Sequence, residues 1–134
     1  MIHVRRHDYL RSAHAHDGWT PPSLGYFQRA KAYFTECLER VQFIVLSDGL
    51  LWCHKYLSGP NVAFAEIRGH SAANDLAIAS LCDHAIITIG SFSWWAGWLT
   101  NGVVITNKDV PRPGSTLTRR LHREDYYKPE WVAL

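Results

Sequence analysis

The apolar residues of this chain fall into short solid blocks and longer spaced ones, and the two kinds alternate from end to end. "QFIVLS" (42–47), "AIITIG" (85–90) and "VVIT" (103–106) are near-continuous aliphatic runs that end on polar or glycine positions. That is the pattern of strands buried on both faces of a parallel sheet. Residues 2–6, "IHVRR", alternate apolar and polar and predict a strand that ends in charge, and "NVAFAE" (61–66) is a weaker strand pattern. Between the first two strands Leu24, Phe27, Ala30, Tyr33, Phe34, Cys37, Leu38 and Val41 recur at helical spacing, predicting a helix over 23–40 with Ser23 as its cap. Shorter helices are predicted over 49–57, within "SAANDLAIASLCDH" (71–84), and over "SFSWWAGWLTNG" (91–102), the last stopped by Gly102. The tail "KPEWVAL" reads as a docking segment. Strand–helix alternation of this kind predicts an α/β fold, a Rossmann-like open parallel sheet with helices on both faces.

Composition narrows the class. With 134 residues, 47% hydrophobic and 19% charged, the chain is one domain long and has no apolar window of transmembrane length. A formal charge of +2, spread along the chain, gives no basic stripe and argues against a nucleic-acid partner. The residues after Met1 form a strand pattern rather than a charged and then apolar leader. Three cysteines without paired spacing, Cys37, Cys53 and Cys82, read as small buried hydrophobes, with a Cys53–Cys82 disulfide open in an oxidising compartment. Two of the six tryptophans are adjacent in "SFSWWAGWL", which is expected to pack tightly.

In an open parallel sheet the ligand lies beyond the carboxyl ends of the strands, and here those ends carry "RRHDY", "SDG" and "GSFS". Arg5 and Arg6 are neighbours, so their side chains diverge; one is expected to serve an anion and the other to brace the structure. His3 shares the face of Arg5, and Asp8 is placed for a local ion pair. Ser91, Phe92 and Ser93 open a helix directly after a strand and a glycine, where free N–H groups and the helix dipole favour an anion; a serine cap without a ligand is the alternative. Asp75, at the start of another helix, is a candidate acceptor for the paired donors on one edge of guanine, or simply a first-turn acid. The loop over 7–22 is long enough to suggest function, and His14 and His16 within it have His-x-His spacing to which His7, Asp8 or His54 would have to add ligands. No nucleophile elbow, P-loop or dinucleotide fingerprint is present.

Taken together and in order, "HVRRHDY", "FIVLSDGLLWC", "NDLAIASLCDHAIITIGSFSWWAGWL" and "PEWVAL" resemble the C-terminal motifs of the galactoside α-1,2-fucosyltransferases of glycosyltransferase family 11. The resemblance implies the donor-binding C-terminal half of a two-domain GT-B-like enzyme, with residues 1–134 as a single GDP-fucose-binding domain and the N-terminal half and membrane anchor absent. It implies inverting transfer of L-fucose from GDP-fucose to the 2-hydroxyl of a terminal galactoside, without a metal cofactor, on the lumenal side of the Golgi membrane. A catalytically silent nucleotide-binding fragment lacking the acceptor half is the alternative. By resemblance Arg5 grips the donor diphosphate with His3 beside it, and Arg6 and Asp8 brace the motif. Asp75 meets guanine, and Ser91, Phe92 and Ser93 form the donor-site turn. His7 stands where the family has glycine, so strain is expected there if that position needs a positive φ.

Overall fold

The computed structural model describes residues 1–10, 16–66 and 71–134. Its centre is one six-stranded, all-parallel sheet made of β1 (Ile2–Val4), β2 (Phe43–Ser47), β3 (Val62–Phe64), β4 (Ala85–Ile86), β5 (Val104–Thr106) and β6 (Val132–Ala133). The spatial order is β3-β2-β1-β4-β5-β6, with Ile2 opposite Val45 on one side and Ile86 on the other. The chain therefore builds outward from β1 in one direction and then returns to build in the other. The crevice between β1 and β4 is where that order reverses, the place at which a doubly wound sheet accepts a ligand.

Alternation along the strands creates two cores. Ile2, Val4, Val45, Ile86 and Ile105 point to one face, against Tyr26, Phe27, Ala30 and Phe34 of α1 (Leu24–Cys37) and Cys53 and Leu57 of α2 (Leu50–Leu57). Leu46, Ala85, Ile87 and Val104 point to the other, against Ala79 of α3 (Ala72–Ser80), Ala96 of α4 (Ser91–Thr100), Tyr127 and Trp131. Helices thus cover both faces, as the solid apolar runs require. Tyr26 is fully buried, and its hydroxyl lies 2.7 Å and 3.0 Å from the carbonyl oxygens of Ile87 and Ile105, tying α1 to two strands.

Several sequence expectations shift. β1 stops at Val4, because the Arg6 and His7 amides turn to the Asp48 carboxylate instead of continuing the ladder. α1 begins where Ser23 accepts from the Tyr26 amide but ends at Cys37, short of residue 40. Asn101, not Gly102, takes the left-handed conformation that stops α4, at φ 53°. Gly102 is needed for space: a Cβ there would sit 1.9 Å from the carbonyl oxygen of Asp83. The tail docks as expected, and it does so as a strand with Trp131 packed in the core. Its residues Val132 and Ala133 form the edge strand β6 beside β5.

The cysteines are all free; Cys53 and Cys82 pack on opposite faces of the sheet, so no disulfide joins them, and Cys37 is exposed rather than buried. The tryptophan-rich helix is only partly packed, since Trp95 is 54% and Trp98 45% exposed. No described helix is long and apolar enough to cross a membrane.

Candidate functional site

The three polar strand ends converge at the β1/β4 crevice. One cavity of about 380 Å³ is lined by His3, Arg5, Asp8, Tyr9, Ile89, Gly90, Ser91, Phe92 and Ser93. A second, of about 240 Å³, shares His3, Arg5 and Phe92 and extends to Ser47, Asp48, Ser71, Ala72 and Asp75. Together they form one cleft with Arg5 at its middle.

Arg5 and Arg6 diverge as their adjacency requires. Arg5 lines the cleft, while the Arg6 guanidinium lies over the Trp52 ring, 4.4 Å from its centroid, in a separate cavity on the far side that His7, Leu10 and Leu51 also line. Arg5 is held by two carboxylates: one Nη bonds Asp8, and Nε lies 3.4 Å from Asp48. A guanidinium carries five N–H donors in a flat fork. Holding Nε and one Nη fixes the fork's plane and leaves donors for a third acceptor. Asp48 also accepts from the backbone N–H groups of Arg6, at 2.9 Å, and His7, at 3.2 Å. It therefore shapes the turn as well as aiming the arginine.

The opposite flank is the start of α4. Gly90 occupies its N-cap position at φ 116°, so neither Ser91 nor Ser93 caps the helix. Glycine is required there twice over, by the positive φ and because a Cβ would lie 2.8 Å from the Tyr9 hydroxyl. The amides of the first helical turn have no partners within their own helix. Ser91, Phe92 and Ser93, which open that turn, line the cavity, at the helix end whose dipole favours negative charge. Ser91 is exposed at the rim, Phe92 is half-buried between the two cavities with its ring 4.9 Å from that of His3, and Ser93 is buried.

His3 joins the flanks. Its Nδ1 is 2.6 Å from Ser93 Oγ, which is 3.0 Å from Thr88 Oγ1, and that hydroxyl accepts from the Arg5 amide at 3.1 Å. Burial, reinforced by the Arg5 charge, pushes the imidazole pKa down to about 3, so the ring is neutral in this chain. It serves as a hydrogen-bonding strut under Arg5 and not as a second cation. Tyr9 crosses the cleft from the other end: its hydroxyl donates to the Ile89 carbonyl at 2.9 Å, its ring stacks on Trp19, and burial raises its pKa to about 12.

Asp75 is buried in the first turn of α3, at 7% exposure, and lines the second cavity, which Phe92 of the α4 turn also lines. The helix N-cap here is Ser71, which accepts from the Asn74 amide. His7 shows no backbone strain: among the described residues the one non-glycine with positive φ is Asn101. The histidine needs no left-handed backbone, and its amide is satisfied by Asp48. His14 lies outside the described residues, His16 is exposed beside Asp17, and His54 bonds Glu66. Among the described residues no three metal-ligating side chains come together.

Asp48, Thr88 and Tyr9 are the site residues that sequence reasoning passed over. Asp48 was visible as part of a polar strand end, but its contact with Arg5 depends on β2 lying directly beside β1. Thr88 sits inside an apolar run, where a hydroxyl is easily read as a β-branched strand residue.

The sequence profile of glycosyl transferase family 11 matches residues 1–134. The chain is 35% identical to galactoside alpha-(1,2)-fucosyltransferase 1 of Sus scrofa over 136 residues, which cover 99% of this chain and 37% of that protein. It is 34% identical to galactoside 2-alpha-L-fucosyltransferase Sec1 of Mus musculus, again over 99% of this chain and 37% of the relative. With galactoside alpha-(1,2)-fucosyltransferase 2 of Oryctolagus cuniculus it shares 32% identity over 99% of this chain and 38% of that protein. The chain therefore spans little more than a third of the length of the curated relatives it matches. No solved structure matches it.

Proposed function

The chain belongs to glycosyl transferase family 11, and from that premise we propose that it binds GDP-fucose and takes part in inverting transfer of L-fucose to the 2-hydroxyl of a terminal galactoside. The observation that carries the reading is the pairing, in one cleft, of a carboxylate-held Arg5 with the N-terminal turn of α4. A diphosphate needs that combination of point charge and converging N–H donors.

In this reading the diphosphate lies between Arg5 and the amides of Ser91, Phe92 and Ser93, while the base extends into the second cavity toward Asp75. The Asp75 carboxylate accepts from the N1–H and the exocyclic amine on one edge of guanine. His3 contributes no charge; it holds Ser93 and, through Thr88, the Arg5 backbone in place. The acceptor 2-hydroxyl oxygen forms the new bond to the anomeric carbon from the face opposite the diphosphate. The bond from that carbon to the β-phosphate oxygen breaks, GDP leaves with the electron pair, and the hydroxyl proton passes to a base or solvent. The chemical demand on this chain is to stabilise charge growing on the β-phosphate, which Arg5 and the α4 dipole meet in place of a divalent cation. Family membership also supports action on the lumenal side of the Golgi membrane.

The test is incubation with GDP-fucose and lactose, with the product analysed by mass spectrometry and NMR. A 2′-fucosylated trisaccharide with an α linkage is expected. GDP binding without any transfer would reduce the chain to a nucleotide-binding domain, and absence of GDP binding would overturn the donor-site reading itself.

A further inference from the structure

Beyond the donor cleft, Ser91 is also part of a smaller cavity of about 190 Å³ whose other walls are Trp94, Trp95, Asp125 and Tyr126. Its floor is fixed: the Trp94 indole N–H donates to the Tyr126 carbonyl at 2.7 Å, locking α5 (Arg123–Tyr126) against α4, and Trp94 packs on Trp131. Its two outer groups are displayed. Trp95 is more than half exposed, set edge-on to Trp94 at a centroid distance of 5.1 Å, and Asp125 is exposed beside it.

We infer that this cavity is a pyranose subsite that takes the terminal galactoside of the acceptor, with Trp95 as the stacking platform and Asp125 as the acceptor of sugar hydroxyl hydrogen bonds. An indole face carries negative electrostatic potential and attracts the positive edge of C–H bonds. A β-galactoside offers such bonds on one side of the ring, where the axial 4-hydroxyl leaves the C3, C4 and C5 hydrogens in one patch. The same ring carries hydroxyls around its rim, which a carboxylate can engage in charge-assisted bonds. A large aromatic beside a carboxylate in a site with room for one ring answers both needs. Position narrows the choice further: Ser91 lies in the wall of both cavities, so a sugar here sits next to the turn assigned to the donor diphosphate. The inference rests on the transferase reading for the identity of the sugar, and the lining alone assigns its class.

Lactose, cellobiose and L-fucose are to be titrated separately into the chain, followed by tryptophan fluorescence and saturation-transfer NMR, with GDP titrated in parallel by calorimetry. Lactose is expected to bind and to show saturation transfer to its galactose C3–H, C4–H and C5–H protons, with cellobiose, whose terminal ring differs at C4, markedly weaker. Trp95→Leu and Asp125→Asn are each expected to lower lactose affinity by about tenfold, while GDP affinity stays within about twofold. A chain that binds GDP but not lactose would overturn the subsite and leave the donor reading standing. One that binds lactose but not GDP would do the reverse. L-Fucose binding more tightly than lactose, or loss of GDP affinity in Trp95→Leu, would reassign the cavity to the donor and overturn the inference. Asp125→Asn, on an exposed side chain, keeps the test decisive should the tryptophan variant fold poorly.

Discussion

The two flanks of the cleft solve one problem in opposite ways. The flank after β1 is ionic: a guanidinium is set by Asp8 and Asp48, and Asp48 also fastens the amides of Arg6 and His7. The flank at the start of α4 carries no formal charge. It offers backbone dipoles, hydroxyls and a glycine cap, underpinned by a neutral buried His3. A mobile side-chain charge needs partners to aim it, whereas amides of a helix turn are aimed by the helix itself. The difference teaches where each flank is vulnerable, in side chains on one side and in backbone geometry on the other.

The largest effect is expected from breaking the ionic flank. Asp48→Ala removes the acceptor for two amides and one face of Arg5, and should lower unfolding stability by about 3 kcal/mol in urea titrations as well as weakening GDP binding. Asp48→Asn keeps an oxygen for one amide and should lose less. On the dipolar flank Gly90→Ala forces a side chain into a positive φ and against the Tyr9 hydroxyl. A loss of about 2 kcal/mol is expected, with GDP affinity reduced although no charge has changed.

The join between the flanks should be read out by pH. The folded His3 pKa lies near 3 against 6.5 for the free side chain, so the unfolded chain binds the extra proton between those values. Stability is therefore full above the unfolded value and falls as pH drops, by about 2 kcal/mol from pH 7 to pH 5 for this one group. His3→Gln should flatten that slope; an unchanged slope would show that other groups carry it. The smallest effect belongs to the tether across the cleft. Tyr9→Phe removes the hydrogen bond to the Ile89 carbonyl and should cost about 1 kcal/mol, measured by thermal or chemical unfolding.

The same contrast explains what could be read from the chain before it was folded. Strands buried on both faces announce themselves as solid apolar runs, and the Ser23 cap and the helix after it follow from local chemistry, so the layered α/β fold was legible. The strand order was not. It depends on β4 pairing with β1 and not with its predecessor β3, a choice made by packing across the whole sheet. Arg5, His3 and the serine turn stood out because they lie at or just beyond strand carboxyl ends, where an open parallel sheet takes its ligand, and Asp75 because it is an acid in the first turn of a helix. Asp48 and Thr88 became site residues only through contacts 42 and 83 positions away in sequence, with Arg6 and Arg5 respectively. The tight packing expected of the tryptophan helix fails for a related reason. Hydrophobic character says what a residue gains by burial, not whether α4 turns that residue inward, and Trp95 and Trp98 lie on its outer side.

The central claim is that Arg5 and the start of α4 hold a nucleoside diphosphate. Calorimetric titration of GDP and of guanosine into the chain and its Arg5→Ala variant tests it most directly. GDP is expected to bind the unaltered chain about a hundredfold more tightly than guanosine does, and the substitution to remove most of that difference while leaving guanosine binding unchanged. Equal GDP affinity in the two proteins would contradict the account.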